Sequence, residues 1–310
     1  MRAAHDVLCP SERAHGSARL HDFRAMTPAP VSSDTAGTDA GWPASLSLAY
    51  RALDHRTVLA HRAHCGPLRV QKALYPEGPS VCHTLLLHPP SGIAGGDRLQ
   101  VDVEVGPGAH ALLTTPGATK WYRSAGPLAQ AEQRLRVAAD GLLEWLPQEA
   151  IVFDGARARA STCVDLAAGG RFIGMDLWCL GRTASGERYR SGRLALDTRI
   201  RLGGRTVWLE QARIAGDAPL QASSAGLAGA PVFGTLIAAG LDADDALLAA
   251  CRALPDPGGH GGVTRLPHLL VARWRGDCTQ AARAWFVHLW SLIRPALAGR
   301  PAQTPRIWNT

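Results

Sequence analysis

The stretch from Leu68 to Ala156 constrains the fold most, because short runs of alternating apolar and polar residues follow one another along it. Leu99–Val105 reads Leu-Gln-Val-Asp-Val-Glu-Val, which gives a strand one apolar and one polar face. Glycine and proline clusters separate the runs and are typical of turns. The densest cluster, Pro89–Asp97, requires a non-regular backbone path and ends in an acid. The stretch therefore predicts a series of short strands.

The alternating pattern continues on both sides of this stretch, with a turn about every ten residues. Such spacing predicts an all-β body rather than alternating strands and helices. The turn residues between successive runs favour antiparallel hairpins. We predict three of them, joining Leu99–Val105 to Ala109–Thr115, Ala131–Ala138 to Leu142–Leu146, and Arg193–Leu202 to Arg205–Ile214.

Two helical patterns interrupt the strands in the C-terminal third. The first covers about Ala243–Ala253, with Asp242 placed to cap it. The second covers Cys278–Leu297 after Asp277, and Trp290 lies on the flank of its apolar stripe. The predicted fold class is therefore mostly β, with a large antiparallel or mixed β body and two α-helices in the C-terminal third.

Composition and pattern also suggest the domain organisation. The chain has 310 residues, of which 46% are hydrophobic, so it is not wholly disordered. Residues 1–41 show no sustained apolar period, and we predict that they form a disordered N-terminal extension. Residues 42–310 contain no linker and no repeat of fixed period, so we predict a single β domain. We expect no membrane association, because no run of about 18 apolar residues is present.

Charge and cysteine content narrow the choice of function. The 33 basic residues exceed the 26 acidic ones, which permits nucleic-acid binding, but the basic residues are scattered and lack interleaved aromatic residues. A nucleic-acid-binding module is therefore an alternative, testable by salt-dependent retention on DNA or RNA. The seven cysteines are odd in number, and none forms a Cys-x-x-Cys pair. They indicate a reduced, cytoplasmic protein.

The sequence offers no tight cluster of nucleophile, base and orienting group. Gly92–Asp97 (GIAGGD) fits neither the P-loop nor the dinucleotide pattern, and it leads into a strand. No serine lies in a G-x-S-x-G setting. We expect no catalytic residues and no tightly bound cofactor. The enzyme alternative that stays open is a β-fold hydrolase or transferase that uses His88 or Asp97 in the glycine-rich loop.

Two carboxylates stand out because they lie among aromatic residues on predicted strands. Asp176 shares a strand face with Phe172 and Trp178, and Glu210 shares one with Trp208. A charge in such surroundings is costly unless it is paired or hydrated. Each acid therefore either pairs with one of the many arginines or lines a water-filled channel. Together with Asp97, they could pass a divalent cation through weak contacts.

Several sequence blocks, in the right order, resemble the UreD (UreH) family of urease accessory proteins. The blocks are GPLRVQKALYPEG, HPPSGIAGGDRL, LLTTPGATKWYRS, LEWLPQEAIVFDGA, CLGRTASGERYRSGRL and the terminal PRIW. The resemblance spans about Trp42 to Trp308. It departs from the family pattern at Ser91, at Ala150, and at Met175-Asp176, where the acid is kept.

The resemblance implies a mostly-β fold and a non-catalytic role in urease maturation. Proteins of this family bind UreF, and through it the GTPase UreG, and the complex docks on the urease apoprotein to deliver nickel. An internal nickel tunnel is part of this expectation, with Asp97, Asp176 and Glu210 as candidate contacts for transient Ni²⁺. We expect Trp290, on the flank of the second helix, to be exposed, and we take Trp290 and Trp308 in the PRIW tail as candidate partner contacts.

Overall fold

The computed structural model describes residues 6–7, 41–216, 218–256 and 258–309, and these ranges are mostly β-strand. The strands are β1 (Asp6–Val7), β2 (Pro43–Leu53), β3 (Arg56–Cys65), β4 (Arg69–Val70), β5 (Val81–Leu87), β6 (Gly92–Ile93), β7 (Arg98–Val105), β8 (His110–Thr114), β9 (Thr119–Trp121), β10 (Ala129–Val137), β11 (Leu142–Trp145), β12 (Ala150–Val152), β13 (Arg157–Leu166), β14 (Arg171–Leu180), β15 (Arg193–Leu202), β16 (Arg205–Ala215), β17 (Val232–Ala239), β18 (Gly259–Leu266) and β19 (Leu269–Gly276). The helices are α1 (Pro219–Ala222), α2 (Asp245–Arg252) and α3 (Thr279–Ala298). The predicted disordered extension, residues 1–41, lies outside the described residues except at 6–7 and 41.

The strands form two sheets. Sheet 1 has the strand order β1-β3-β2-β7-β10-β13-β15-β16. Sheet 2 has the order β18-β19-β17-β14-β11-β8-β5-β4. Three short strands extend it, because β12 pairs with β14, β9 with β12, and β6 with β9. The strands from β2 to β15 in sheet 1 are parallel neighbours, and β16 is antiparallel. The prediction of a large mixed β body is confirmed.

Two of the three predicted hairpins are wrong. The segments Leu99–Val105 and Ala109–Thr115 do not pair, because β7 belongs to sheet 1 and β8 to sheet 2. The segments Ala131–Ala138 and Leu142–Leu146 are divided in the same way between β10 and β11. The glycine-containing turns form corners between the sheets. The reason lies in β8 and β11, which are nearly all buried and so belong in the sheet that is covered on both faces.

The third hairpin is confirmed. β15 pairs antiparallel with β16. The turn residues Gly203 and Gly204 have φ of 55° and 80°. A two-residue hairpin turn of this hand needs positive φ at both positions, which glycine adopts without steric cost.

The two predicted helices are present, with shifted boundaries. α2 begins after Asp244 rather than Asp242, and Asp244 Oδ1 accepts from the Leu247 amide at 2.7 Å. α3 begins after Cys278, and no side chain caps it. The sequence did not predict the single-turn helix α1. Among the described helices, none is long and apolar enough to span a membrane.

The core has two layers. α3 contacts β14, β17 and β19, so that one apolar layer lies between the helices and the outer side of sheet 2. The second layer fills the space between the two sheets, where it consists of two separate apolar clusters. One cluster includes Val164, Phe172 and Ile200. The other includes Trp121 and Trp178. The candidate site lies between these clusters.

Candidate functional site: a polar layer between the two sheets

A row of polar side chains crosses the inner face of sheet 1. Strand register places Gln133 beside Thr162, Thr162 beside Thr198, and Thr198 beside Glu210. Thr162 Oγ1 donates to Gln133 Oε1 at 3.0 Å. In parallel and antiparallel ladders alike, residues in register lie on the same face of the sheet, so the four side chains form a continuous strip across β10, β13, β15 and β16.

Sheet 2 presents a second polar row at the same level. Asp176 on β14 is in register with Thr235 on β17, and Thr235 with Arg273 on β19. The two rows face each other, and we call Gln133, Thr162, Thr198, Glu210, Asp176 and Thr235 the polar layer. A cavity of about 500 Å³ lies against it, and all six residues line that cavity.

The polar layer separates the two apolar clusters between the sheets. On β13, Ala158 and Ala160 pack in one cluster and Val164 and Leu166 in the other, with Thr162 between them. On β14 the same change occurs between Trp178 and Phe172. A polar layer within a β core leaves groups that need hydration or partners. The cavity provides room for water or a small cation at that level.

Asp176 is the charged residue of the polar layer that has no partner among the described residues. Its carboxylate makes no side-chain hydrogen bond or ion pair with the described residues, and it faces the cavity. Burial, together with the smaller effect of the nearby Glu210 carboxylate, raises the pKa of Asp176 to about 6. At a pH slightly above 6, the Asp176 carboxyl is therefore still protonated in a fraction of the molecules. A bound cation would favour the ionised form.

Glu210 is held differently. Its Oε1 lies 2.7 Å from Arg273 Nη2, and the Arg273 guanidinium lies over the Trp208 ring at 5.5 Å. The two acids therefore differ in their partners. Glu210 has an arginine partner, whereas Asp176 faces the cavity without one among the described residues. Both acids line the same cavity.

Asp97 lies apart from the polar layer. Its two carboxylate oxygens accept from the amides of Trp42 (2.9 Å) and Ala94 (2.8 Å), so it holds the glycine-rich loop against the start of β2. It is not among the residues that line the cavity. His88 does line it, and burial lowers the pKa of His88 although Asp97 acts in the opposite direction. No hydrogen bond joins these two side chains among the described residues, so the loop does not show an acid–base pair.

The described residues contain no group of three or more His, Cys, Asp and Glu side chains placed to hold a metal ion together. Contacts with a cation at the polar layer would therefore come from one or two carboxylates, hydroxyls and water. Such contacts are weaker than those of a closed site.

Sequence reasoning missed a second group of charges, under α3. Arg294 is fully buried and donates to both Glu144 and Glu77, with Nη2–Glu144 Oε1 at 2.9 Å and Nη1–Glu77 Oε2 at 2.7 Å. His110 Nε2 lies 2.6 Å from Glu144 Oε1, and His83 Nε2 lies 2.7 Å from Glu77 Oε1. Burial acts to raise the pKa of Glu77, but hydrogen bonds from His83 and Arg294 outweigh it and lower that pKa to about 2. The one indication in the sequence is Glu144 itself, a charge within the apolar run LLEWL.

The expectation that Trp290 is exposed is wrong. Trp290 is fully buried, and its Nε1 donates to Glu144 Oε2 at 2.6 Å. Its i+4 neighbour Arg294 shares that side of α3, so the buried face is wider than the apolar stripe. Trp308 is half-buried, packs edge-on against Trp290 and donates to Thr114 Oγ1 at 2.8 Å. The terminal segment therefore docks on the outer side of sheet 2.

Comparison with known proteins identifies the family. Residues 43–309 match the family model described as UreD urease accessory protein. A urease accessory protein UreD from Azoarcus sp. (strain BH72) is 55% identical over 270 residues, covering 87% of this chain and 95% of the relative. The UreD proteins of Dechloromonas aromatica (strain RCB) and Nitrosococcus oceani are 53% and 51% identical, each over 87% of this chain and over 95% and 90% of their own lengths. The chain belongs to the UreD family of urease accessory proteins.

Proposed function

We propose that this chain is a non-catalytic scaffold for nickel insertion into urease. It acts in the cytoplasm with UreF and, through UreF, with the GTPase UreG, and the complex binds the urease apoprotein. The GTP hydrolysis in this scheme belongs to UreG. Family membership supports the link to urease, since the relatives are named urease accessory proteins.

The observation that carries the nickel role is the polar layer. A free carboxylate, Asp176, lies in a cavity between two sheets with hydroxyl, amide and carboxylate oxygens around it. Oxygen ligands together with water bind a divalent cation weakly when few of them are charged. Weak contacts are suited to a cargo that has to move on. We infer that Ni²⁺ passes through this cavity and meets Asp176 and then Glu210, or the reverse.

The polar layer gives no comparable support to a hydrolase or transferase that uses His88 or Asp97. Asp97 is occupied by two backbone amides of its own loop region.

The scaffold function is tested by co-purification. We expect the tagged chain to retain UreF from a co-expression mixture, and UreG only when UreF is present. Urease apoprotein should bind to the assembled complex. Failure to retain either UreF or urease, with the protein folded and monodisperse, would contradict the scaffold role.

A further inference from the structure

The face of sheet 1 that points away from sheet 2, here called the outer face, is open. It is formed by alternate residues of β7, β10, β13, β15 and β16. The longer helices α2 and α3 contact strands of sheet 2 instead, and α1 contacts the end of β16, where Gln221 Nε2 donates to Ala215 O at 2.8 Å. The outer-face arginines Arg98, Arg136, Arg157, Arg193 and Arg199 are exposed. The chemistry of this face therefore decides what it can bind.

The outer face has regular rows, because its strands are in register. One row contains Gln100, Glu132, Ser161, Asp197 and Gln211, one residue from each strand. The adjacent row contains Arg98, Gln130, Arg159, Ala195 and Arg213. At the end nearest β2, both rows border a groove of about 450 Å³. The outer face is therefore a polar surface with a groove at its β2 end.

The carboxylates of the outer face are already engaged by groups on the same face. Glu104 pairs with Arg136 at 3.1 Å and Glu132 with Arg134 at 2.9 Å. Asp165 pairs with Arg201, and Asp197 pairs with Arg213 at 2.6 Å and Arg159 at 3.3 Å. Asp102 accepts from the Gln100 amide at 2.6 Å. The acids therefore leave the remaining arginines unneutralised.

Four arginines make up this surplus: Arg98, Arg157, Arg193 and Arg199. Among the described residues, none of the four has an ion pair. Arg157 and Arg193 are in direct register on neighbouring strands, so two guanidinium groups stand side by side. Like charges placed opposite each other on adjacent strands destabilise a sheet. An anionic group that binds between the two guanidinium groups decreases this repulsion.

We propose that the outer face docks an acidic patch of a partner protein, with Arg157, Arg193 and Arg199 as the main contacts. A protein fits better than a nucleic acid, because the five outer-face carboxylates would lie against a phosphate backbone. A protein can place its own basic or amide groups opposite them. Leu209, 57% exposed and in register with Arg199, adds an apolar contact of the kind found in protein interfaces. This docking role of the outer face rests on the proposed function only for the choice of protein probes.

The test compares two variants with the same change in charge. The outer-face variant combines Arg157→Glu, Arg193→Glu and Arg199→Glu. The control variant combines Lys72→Glu, Arg188→Glu and Arg306→Glu, which are exposed positions outside the outer face. Thermal unfolding confirms that each is folded. If the glutamate variant does not fold, the same positions are changed to glutamine.

Three probes are titrated at low and at physiological salt: poly-L-glutamate, a DNA duplex, and purified UreF or urease apoprotein. We expect the outer-face variant to associate with poly-L-glutamate and with one protein probe at least about tenfold more slowly than the control variant, with the difference shrinking as salt rises. Equal rates for the two variants would overturn the inference. A larger loss for DNA than for poly-L-glutamate and the protein probe would overturn the choice of partner.

The two proposals fail separately. If the wild-type chain binds neither UreF nor urease, the scaffold function fails. The poly-L-glutamate comparison still decides whether the outer face is a docking surface for acidic chains.

Discussion

Arg273 Nη2 lies 2.7 Å from Glu210 Oε1, and this pair joins the two sheets at the edge of the polar layer. Glu210 lies on β16, the last strand of sheet 1, and Arg273 on β19 of sheet 2. The two strands share no backbone hydrogen bonds, because they belong to different sheets. The ion pair therefore links the two sheets beside the cavity that Glu210 and Asp176 both line.

We predict that this pair contributes little to stability. The side chains of Arg273 and Glu210 are 58% and 28% exposed, and exposed pairs contribute up to about 1 kcal/mol. A double-mutant cycle with Arg273→Ala and Glu210→Gln, followed by urea unfolding, measures the coupling. A coupling free energy above about 2 kcal/mol would show that the pair is effectively buried.

Asp176→Asn is expected to change how stability depends on pH. The pKa of Asp176 is raised from 3.8 to about 6, so between these values the folded state keeps a proton that the unfolded state has lost. Wild-type stability relative to Asp176→Asn therefore falls as pH rises through this window and is level above about pH 7. The change amounts to about 1–3 kcal/mol.

The measurement is urea unfolding of metal-free protein from pH 4 to pH 8, in which the difference between the two proteins isolates the Asp176 carboxylate. Parallel curves for wild type and Asp176→Asn would mean that Asp176 is fully hydrated. The cavity would then be wet enough to give the carboxylate its ordinary pKa.

Removing the guanidinium of Arg294 should destabilise the fold strongly. Arg294→Met leaves Glu144 and Glu77 buried without their cationic partner, and breaking such a pair costs about 3–5 kcal/mol. Arg136→Met provides the control, because its pair with Glu104 is exposed and should cost less than about 1 kcal/mol. Chemical unfolding of the two variants checks the contrast. Similar losses for both would contradict the buried network.

Trp290→Phe separates a core role from a partner-contact role. The substitution keeps an aromatic ring, although a smaller one, and removes the Nε1–H donor to Glu144 Oε2, so we expect a loss of about 1–3 kcal/mol in unfolding free energy. Affinity for UreF, measured by calorimetry on folded protein, should not change. A weakened complex together with unchanged stability would restore Trp290 as a partner contact.

The strands and the buried acids could be predicted because both depend on local pattern. Alternation along Leu99–Val105 defines a strand with two different faces, and an acid among aromatic residues, such as Asp176, has to be paired or hydrated. The distribution of strands between the sheets could not be predicted in this way. A two-residue period identifies the face of a strand but not its neighbours, and the turns after β7 and β10 suit both corners and hairpins.

The network around Arg294 depends on contacts that are distant in sequence. Arg294 and Glu144 are separated by 150 residues, and helical spacing alone places Arg294 on the polar side of α3. At Asp97 the local pattern was predicted but the role of the side chain was not. The glycine and proline pattern correctly indicated a loop with a specific backbone path. The Asp97 carboxylate accepts from the amides of Trp42 and Ala94, so it stabilises that loop and does not face the cavity.

The nickel content of urease matured with altered polar-layer carboxylates tests the central claim most directly. Urease is co-expressed with its accessory proteins and with wild type, Asp176→Ala, Glu210→Ala or the control Asp245→Ala, whose side chain is 91% exposed. Purified urease is then analysed for metal, and complex assembly is followed by co-purification. We predict that both polar-layer variants assemble normally but give urease several-fold less nickel, whereas the control matches wild type. Normal nickel loading with either folded variant would contradict the role of that carboxylate in the path, and normal loading with both would contradict passage of nickel along the polar layer.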